Sequence, residues 1–278
     1  MLGWSLNLFR VRGILLAVHF SFFLLLGVNA FDGWAEAGWP GLWQNTAVLL
    51  AFFVCVVLHE LGHSFTAMRY GIGVRRILLM PIGGMAEFDG IPRQPRRELL
   101  ITLAGPAVNF VIAGLLWLVL PAALREAATD VSEEALTLVA FVHVLMQWNL
   151  AMGCFNLLPA FPMDGGRILR AVLATRFPYL RATFFAATMG KVVCVLGVLV
   201  ALFAPELGIS DQPIHLLAIL FGFIFVVGEM EYRATKRREL DDAHFRATLA
   251  RLYPIPPTLD EPPLLFSPER APGESREG

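Results

Sequence analysis

Residues 52–68, FFVCVVLHELGHSFTAM, place an H-E-x-x-H motif at the end of an apolar run. His59 and His63 are four residues apart, so on an α-helix both imidazoles lie on one face and can bind one metal ion. Glu60, beside the first histidine, is placed to act as a general base toward a water at that metal. Ionisable side chains inside a membrane helix are costly and therefore indicate function. The stretch predicts a zinc-dependent hydrolytic site within a membrane helix.

The composition indicates an all-α polytopic membrane protein. Of the 278 residues, 56% are hydrophobic and only 16% are charged, whereas soluble domains carry about 25% charged residues. Apolar runs of about 20 residues, long enough to cross a bilayer, predict a bundle of six transmembrane helices. The net charge of −1 gives no sign of a nucleic-acid partner. The predicted spans are 13–30, 46–67, 99–122, 135–158, 182–204 and 213–230.

The distribution of arginine and lysine predicts the orientation of this bundle. The connections 31–45, 123–134 and 205–212 contain Arg125 as their one basic residue, while the opposite connections carry repeated basic clusters. Short cytoplasmic connections are enriched in Lys and Arg. We therefore expect both termini to lie in the cytoplasm. The protein is also expected to be integral to the lipid bilayer, as a protein of a bacterial inner membrane.

Three segments outside these spans have patterns of their own. Residues 71–90, GIGVRRILLMPIGGMAEFDG, contain two short apolar runs around a Gly-Gly turn, which favours a small β-hairpin at the cytoplasmic face. Residues 233–252 alternate charged and apolar positions at helical spacing and predict a cytoplasmic helix. The tail, 253–278, is rich in Pro, Glu and Ser and is expected to be disordered. A single membrane domain is thus predicted over residues 1–232.

A catalytic zinc usually has three protein ligands and a water, so a third ligand is needed. Asp164 is the leading candidate, because it follows the fourth span on the same side of the membrane as the end of the second. Pro159 and Pro162 break the helix before it, and a carboxylate on such a turn suits a metal site. The alternatives are His19, at a comparable depth, Cys55, one helical turn before His59, and the more distant His143 and His215.

Three motifs together resemble the site-2 protease family of intramembrane zinc metalloproteases. They are HELGH at 59–63, AGPAVN at 104–109 and NLLPAFPMDGGR at 156–167. The resemblance covers about residues 10–230. The chain has no room for the PDZ domain or the CBS modules of other members, so it resembles a minimal form of the family.

The resemblance implies that His59, His63 and Asp164 bind one Zn²⁺ ion per chain and that Glu60 activates water. It also implies that Asn156 contributes to substrate or oxyanion interactions. The implied substrates are transmembrane proteins, including anti-sigma factors and membrane-tethered regulators, cleaved within or near their membrane segments. A membrane zinc transporter or sensor with the same ligands is the alternative function, although transport has no evident use for a glutamate beside the first ligand.

Two further expectations concern the surroundings of this site. Small residues in AGPAVN predict close packing beside the catalytic helix, with Asn109 orienting a neighbouring side chain. Lys191 is expected to extend to the cytoplasmic face or to line the path of the substrate. A substrate helix must unwind to expose a peptide bond, and the edge of the 71–90 hairpin is placed to pair with the unwound chain by strand addition. The alternative for 71–90 is a plain connecting loop beneath the bundle.

Overall fold

The computed structural model of the protein describes residues 4–90, 94–129 and 133–252. The predicted disordered tail, 253–278, lies outside these ranges. The elements are, in chain order, β1 (Ser5–Val11), β2 (Ile14–His19), α1 (Phe20–Arg69), β3 (Val74–Met80), β4 (Gly83–Phe88), α2 (Pro95–Thr129), α3 (Glu133–Asn156), α4 (Asp164–Leu173), α5 (Tyr179–Leu202) and α6 (His215–Leu252).

Helices dominate this part of the chain. Within the described ranges, five helical segments are long and apolar enough to cross a membrane, which agrees with an integral membrane protein. The last four correspond to the third to sixth predicted spans. The five are Phe20–Arg69, Pro95–Leu120, Thr137–Asn156, Tyr179–Leu202 and His215–Leu252.

The long helix α1 turns back on itself near its middle. Ala37 and Gly38 have non-helical backbone angles, and Gly38 has φ +65°, which glycine adopts readily. The rings of Phe22 and Phe53 lie 4.6 Å apart between centroids, whereas a straight helix would separate these residues by about 46 Å. α1 therefore consists of two antiparallel arms, a first arm over 20–36 and a second arm over 39–69.

The first predicted span, 13–30, is wrong at its start. Ile14–His19 forms the strand β2 rather than a helix. Most of this strand is buried, and a short apolar run does not distinguish a buried strand from a buried helix by its periodicity. The helical part of the predicted span begins only at Phe20.

The strands form one four-stranded sheet in the order β1-β2-β3-β4. The hairpin predicted within 71–90 is confirmed as the antiparallel pair β3 and β4. A second antiparallel hairpin, β1 and β2, was not predicted, and its strand β2 lies parallel to β3. This arrangement makes β4 an edge strand of the sheet within the described ranges.

The main apolar core joins this sheet to both arms of α1. Side chains of β2 and β3 pack against the second arm around the H-E-x-x-H motif, so the sheet lies beside the helical turns that carry the histidines. The buried members of this core are Ile14, Leu16, Val18, Phe22, Leu49, Phe53, Val56, Leu61, Ile77 and Leu79.

The segment 233–252 lies within the bounds of the helix α6, His215–Leu252. Residues 1–235 form one compact unit, and residues 236–252 are the described part of a second unit. The cytoplasmic location of this segment stays a prediction.

Candidate metal centre

The two motif histidines lie in the second arm of α1, and the Nδ1 atom of each forms a hydrogen bond. His59 and His63 are both buried. The Nδ1 of His59 is 2.5 Å from the Oδ1 of Asn109, and the Nδ1 of His63 is 2.8 Å from the carbonyl oxygen of Ile101. Because both partners are acceptors, each Nδ1 carries the ring proton and donates it. Both Nε2 atoms are therefore left with free lone pairs, as metal ligation requires.

Three donor atoms converge at this point. The two Nε2 atoms of His59 and His63 are 3.1 Å apart, and the Oδ2 of Asp164 lies 3.3 Å and 3.2 Å from them. Tetrahedral zinc with N and O ligands at about 2.0–2.1 Å separates its ligand atoms by about 3.3 Å. The donor set therefore fits zinc in both chemistry and spacing. Two facing lone pairs so close together repel each other unless a cation lies between them.

The carboxylate of Asp164 is suited to complete this group. Its Oδ2 is buried and has no conventional hydrogen-bond partner. Burial by itself raises the pKa of Asp164, whereas hydrogen bonds and positive charge from the imidazoles of His59 and His63 in their protonated form lower it below its ordinary value, and a cation held among the three donors acts in the same direction. The carboxylate is thus ionised at neutral pH, which is the form that binds a metal.

Asp164 reaches this position because α4 begins directly after an irregular turn, 157–163. A Cβ at Gly165 would overlap the carbonyl oxygen of Leu158, and one at Gly166 would lie 2.7 Å from the carbonyl carbon of Ala160. Only glycine at both positions allows the helix to start this close to the turn. As the first residue of α4, Asp164 also places its negative charge at the positive end of the helix dipole.

The helix α2 approaches the histidines through two glycine contacts. A Cβ at Gly62 would lie 2.8 Å from the carbonyl oxygen of Ala104, so the two helices touch backbone to backbone. A Cβ at Gly105 would overlap the His63 ring and lie 2.8 Å from the Cε1 of His59. The close packing expected from AGPAVN is therefore present, and it brings α2 within reach of both Nδ1 atoms.

A chain of buried amides, which the sequence analysis missed beyond Asn109, fixes the orientation of His59. The Nδ2 of Asn109 donates to the Oδ1 of Asn149 at 3.0 Å, and the Nδ2 of Asn149 donates to the carbonyl oxygen of Leu145 at 2.8 Å. Neither asparagine has exposed surface. A polar residue in the middle of an apolar span, such as Asn149, was the signal available in the sequence.

Glu60 lies over the edge strand of the sheet. A Cβ at Gly84 would lie 2.5 Å from the Cγ of Glu60 and 3.1 Å from its Oε1. The side chain that follows the first ligand is therefore in direct contact with β4. Asn156 is the last residue of α3, and its Nδ2 donates to the carbonyl oxygen of Met152 at 3.1 Å.

The alternative ligands lie elsewhere. His19 caps the first arm of α1, where its Nδ1 accepts a hydrogen bond from the backbone N–H of Ser21 at 3.2 Å. Cys55 is buried but does not belong to the group of converging donors found within the described ranges. His143 and His215 are exposed.

Lys191 forms an ion pair, and its extension to the cytoplasmic face or along the substrate path stays a prediction. Its Nζ lies 2.6 Å from the Oε2 of Glu229, so an ion pair joins α5 to α6. Arg233 adds a second positive charge, because its Nε lies 2.6 Å from the Oε1 of Glu229.

Comparison with known proteins agrees with this geometry. Residues 47–197 match the pattern of peptidase family M50. A zinc metalloprotease of Methanocaldococcus jannaschii is 37% identical over 235 residues, which are 84% of this chain and 62% of that relative. Stage IV sporulation protein FB of Bacillus subtilis is 28% identical over 221 residues, 79% of this chain and 69% of the relative. The chain thus spans less than two thirds of the length of the archaeal metalloprotease.

A solved structure extends the similarity to the fold. The site-2 protease from Methanocaldococcus jannaschii matches with a TM-score of 0.54 and 34% identity, covering 82% of this chain and 95% of that one. The matched range 47–197 contains the two histidines, the glutamate and the aspartate described above. The chain therefore belongs to peptidase family M50, the site-2 protease family, as its motifs predicted.

Proposed function

We propose that this protein is a zinc-dependent endopeptidase that hydrolyses peptide bonds within or near the transmembrane segments of membrane proteins. The observation that carries the proposal is the convergence of His59, His63 and Asp164 among helices apolar enough to span a membrane. A zinc ion held by these three residues supplies Lewis-acid activation of water and of the scissile carbonyl group. The substrates we propose are transmembrane proteins such as anti-sigma factors and membrane-tethered regulators.

Glu60 is assigned the role of general base. Its carboxylate takes a proton from the attacking water and delivers it to the leaving amide nitrogen. Its place directly after His59, with its side chain at the edge of the sheet, supports this role. Asn156 is assigned to hydrogen bonding with the substrate or the oxyanion. Its amide has two N–H groups, and the bond to Met152 uses one of them.

The edge strand β4 is proposed to present the substrate. A substrate helix that unwinds loses its internal hydrogen bonds, and an edge strand offers backbone N–H and C=O groups that replace them. Because Gly84 of β4 contacts Glu60, a chain paired along this strand passes the general base. The contact therefore supports strand addition rather than a purely connecting role for 71–90.

We further propose that the two arms of α1 cross the membrane separately, which makes six crossings. At 1.5 Å per residue the first arm is about 25 Å long, close to the hydrocarbon thickness of about 30 Å. An even number of crossings returns the chain to its starting side. The basic connections support the assignment of that side to the cytoplasm, and we propose that the protein lies in a bacterial inner membrane.

Cleavage in reconstituted vesicles tests the proposed activity. Purified chain is placed in liposomes with a single-span substrate, and Glu60→Gln is compared with Glu36→Gln, an exposed position at the turn between the two arms. We expect Glu60→Gln to keep one zinc per chain and lose cleavage, while Glu36→Gln keeps both. Cleavage that survives Glu60→Gln contradicts the mechanism. Zinc flux across the vesicles that survives Glu60→Gln, without any cleavage by the unaltered chain, favours a transporter.

A further inference from the structure

Glu98 and Arg170 form a buried ion pair close to the metal centre but outside it. The two residues are 3% and 2% exposed. The Nε and Nη2 of Arg170 donate to the Oε1 of Glu98 at 2.8 Å and 2.5 Å. The guanidinium also lies 5.1 Å from the ring centroids of both Phe161 and Tyr179. Charges this deeply buried persist only when they are paired and well packed.

The ion pair connects two helices that each position a different metal ligand. Arg170 belongs to α4, the helix that begins with Asp164, and its guanidinium packs on Phe161 in the turn before that helix. Glu98 lies in the first turn of α2, one helical turn before Ile101, whose carbonyl oxygen accepts the proton of His63 Nδ1. One ion pair therefore joins the element that orients His63 to the element that presents Asp164.

The helix α4 depends on such contacts for its position. It has ten residues, and a helix of this length is marginal without tertiary packing. Its second and third residues are the glycines Gly165 and Gly166, which restrict the backbone least. A metal site requires its donors to be held within about 0.5 Å. Two hydrogen bonds from Arg170, in the last turn of α4, to one oxygen of Glu98 are a directional restraint of the kind that meets this requirement.

We propose that the Glu98–Arg170 pair is a positioning device for the zinc site. It holds α4 against α2, and so keeps the Oδ2 of Asp164 at the distance from the Nε2 of His63 that zinc requires. The proposal rests on the zinc site assigned under the proposed function. Neither residue touches the reacting atoms, so their effect is exerted through Asp164 and His63.

Two variants separate positioning from folding. Arg170→Lys keeps the charge but loses the fork of donors. A cavity of about 40 Å³ is bordered by Glu98, Arg167 and Arg170. In Arg170→Lys this cavity has room for a water that replaces a hydrogen bond lost by the Glu98 carboxylate. The double variant Glu98→Leu with Arg170→Met replaces the pair by apolar side chains, an exchange that is often neutral for stability. It removes the directional tie between α2 and α4 while keeping the site filled.

The experiment measures metal binding by the full chain in detergent. The zinc dissociation constant is obtained by competition with a chelator, the ligand geometry by the visible spectrum of the Co²⁺ form, and the fold by the thermal midpoint of the metal-free chain. We expect both variants to bind zinc about 10-fold more weakly or worse, with an altered Co²⁺ spectrum and a metal-free midpoint near that of the unaltered chain.

The control removes an ion pair whose two members lie in α5 and α6, outside the ligand-bearing helices α1 and α4. Lys191→Met with Glu229→Leu breaks the link between α5 and α6, and we expect its zinc affinity to stay within twofold of the unaltered chain. A folded Arg170→Lys variant with unchanged zinc affinity and Co²⁺ spectrum overturns the positioning role, whether or not the double variant folds. Failure of the unaltered chain to bind zinc contradicts the metal site itself, so the two failures are distinguishable.

Discussion

Gly84 lies directly beneath the side chain of Glu60, so closely that a Cβ at position 84 would come within 2.5 Å of the Glu60 Cγ. This contact joins the edge strand of the sheet to the residue that we assign as general base. The strand that we propose to pair with an extended chain therefore lies against the residue that we propose to move the proton.

Gly84→Ala is expected to reduce proteolysis without reducing zinc binding. The added methyl group displaces the Glu60 carboxylate, which is flexible enough to move while the fold survives. We expect cleavage of a single-span substrate to fall about 10-fold or more, a typical loss for a misplaced general base. Gly90→Ala, where a Cβ meets nothing within 4 Å, is the matched control. Equal activity of the two variants would show that the contact is unimportant.

Gly105→Ala is expected to abolish tight zinc binding. Its Cβ would overlap the ring of His63 and crowd His59, so both imidazoles have to leave the positions that bring their Nε2 atoms together. We expect zinc affinity to fall about 100-fold or more, since metal sites tolerate displacements of only about 0.5 Å. Gly114→Ala on the same helix, with open space around its Cβ, should bind zinc normally. Normal zinc content in Gly105→Ala would contradict the arrangement of the two rings.

Asn109→Leu is expected to weaken zinc binding through His59. Without the acceptor at its Nδ1, the His59 ring loses both its fixed tautomer and its orientation, and such losses typically reduce metal affinity 10–100-fold. Asn109→Asp keeps an oxygen acceptor at the same place and should retain most of the affinity. Chelator competition measures both. Equal affinities for the two variants would mean that the hydrogen bond to His59 has no effect on the metal.

Gly38→Ala is expected to destabilise the turn between the two arms of α1. The residue has φ +65° and ψ −145°, a conformation that costs any other residue about 1–3 kcal/mol. A Cβ at this position meets no neighbouring atom within 4 Å, so backbone strain is the whole effect. Gly27→Ala, which also meets no atom but lies within the helical first arm, should be neutral or slightly stabilising. The stabilities of Gly38→Ala and Gly27→Ala are compared by unfolding in mild detergent. Equal stabilities would contradict the position of the turn at Gly38.

The last four predicted spans and the three metal-ligand candidates were accessible from the sequence because both depend on local properties. Whether a segment suits a bilayer depends on the summed apolarity of its own residues. The spacing of His59 and His63 refers to neighbouring turns of one helix. Asp164 was recognisable from the prolines and glycines around it, since these residues interrupt a helix wherever they occur.

The strand β2 and the buried polar partners were not accessible in this way. Leu16 and Val18 suit a helix and a strand equally well, and only pairing with β3 makes them a strand. Asn149 and Arg170 act through residues far away in sequence, Asn109 and Glu98. Nothing in the local pattern indicates which polar groups meet when the helices pack.

The amino-acid sequence by itself determined the membrane character of the chain and the donor atoms available for a metal, because apolarity and helical spacing act over a few turns. Only the tertiary structure decided that α1 folds into two arms, that Asn109 and Ile101 orient the histidines, and that β4 lies against Glu60. These features depend on contacts between segments distant along the chain. Such contacts are set by packing in three dimensions, which no local pattern contains.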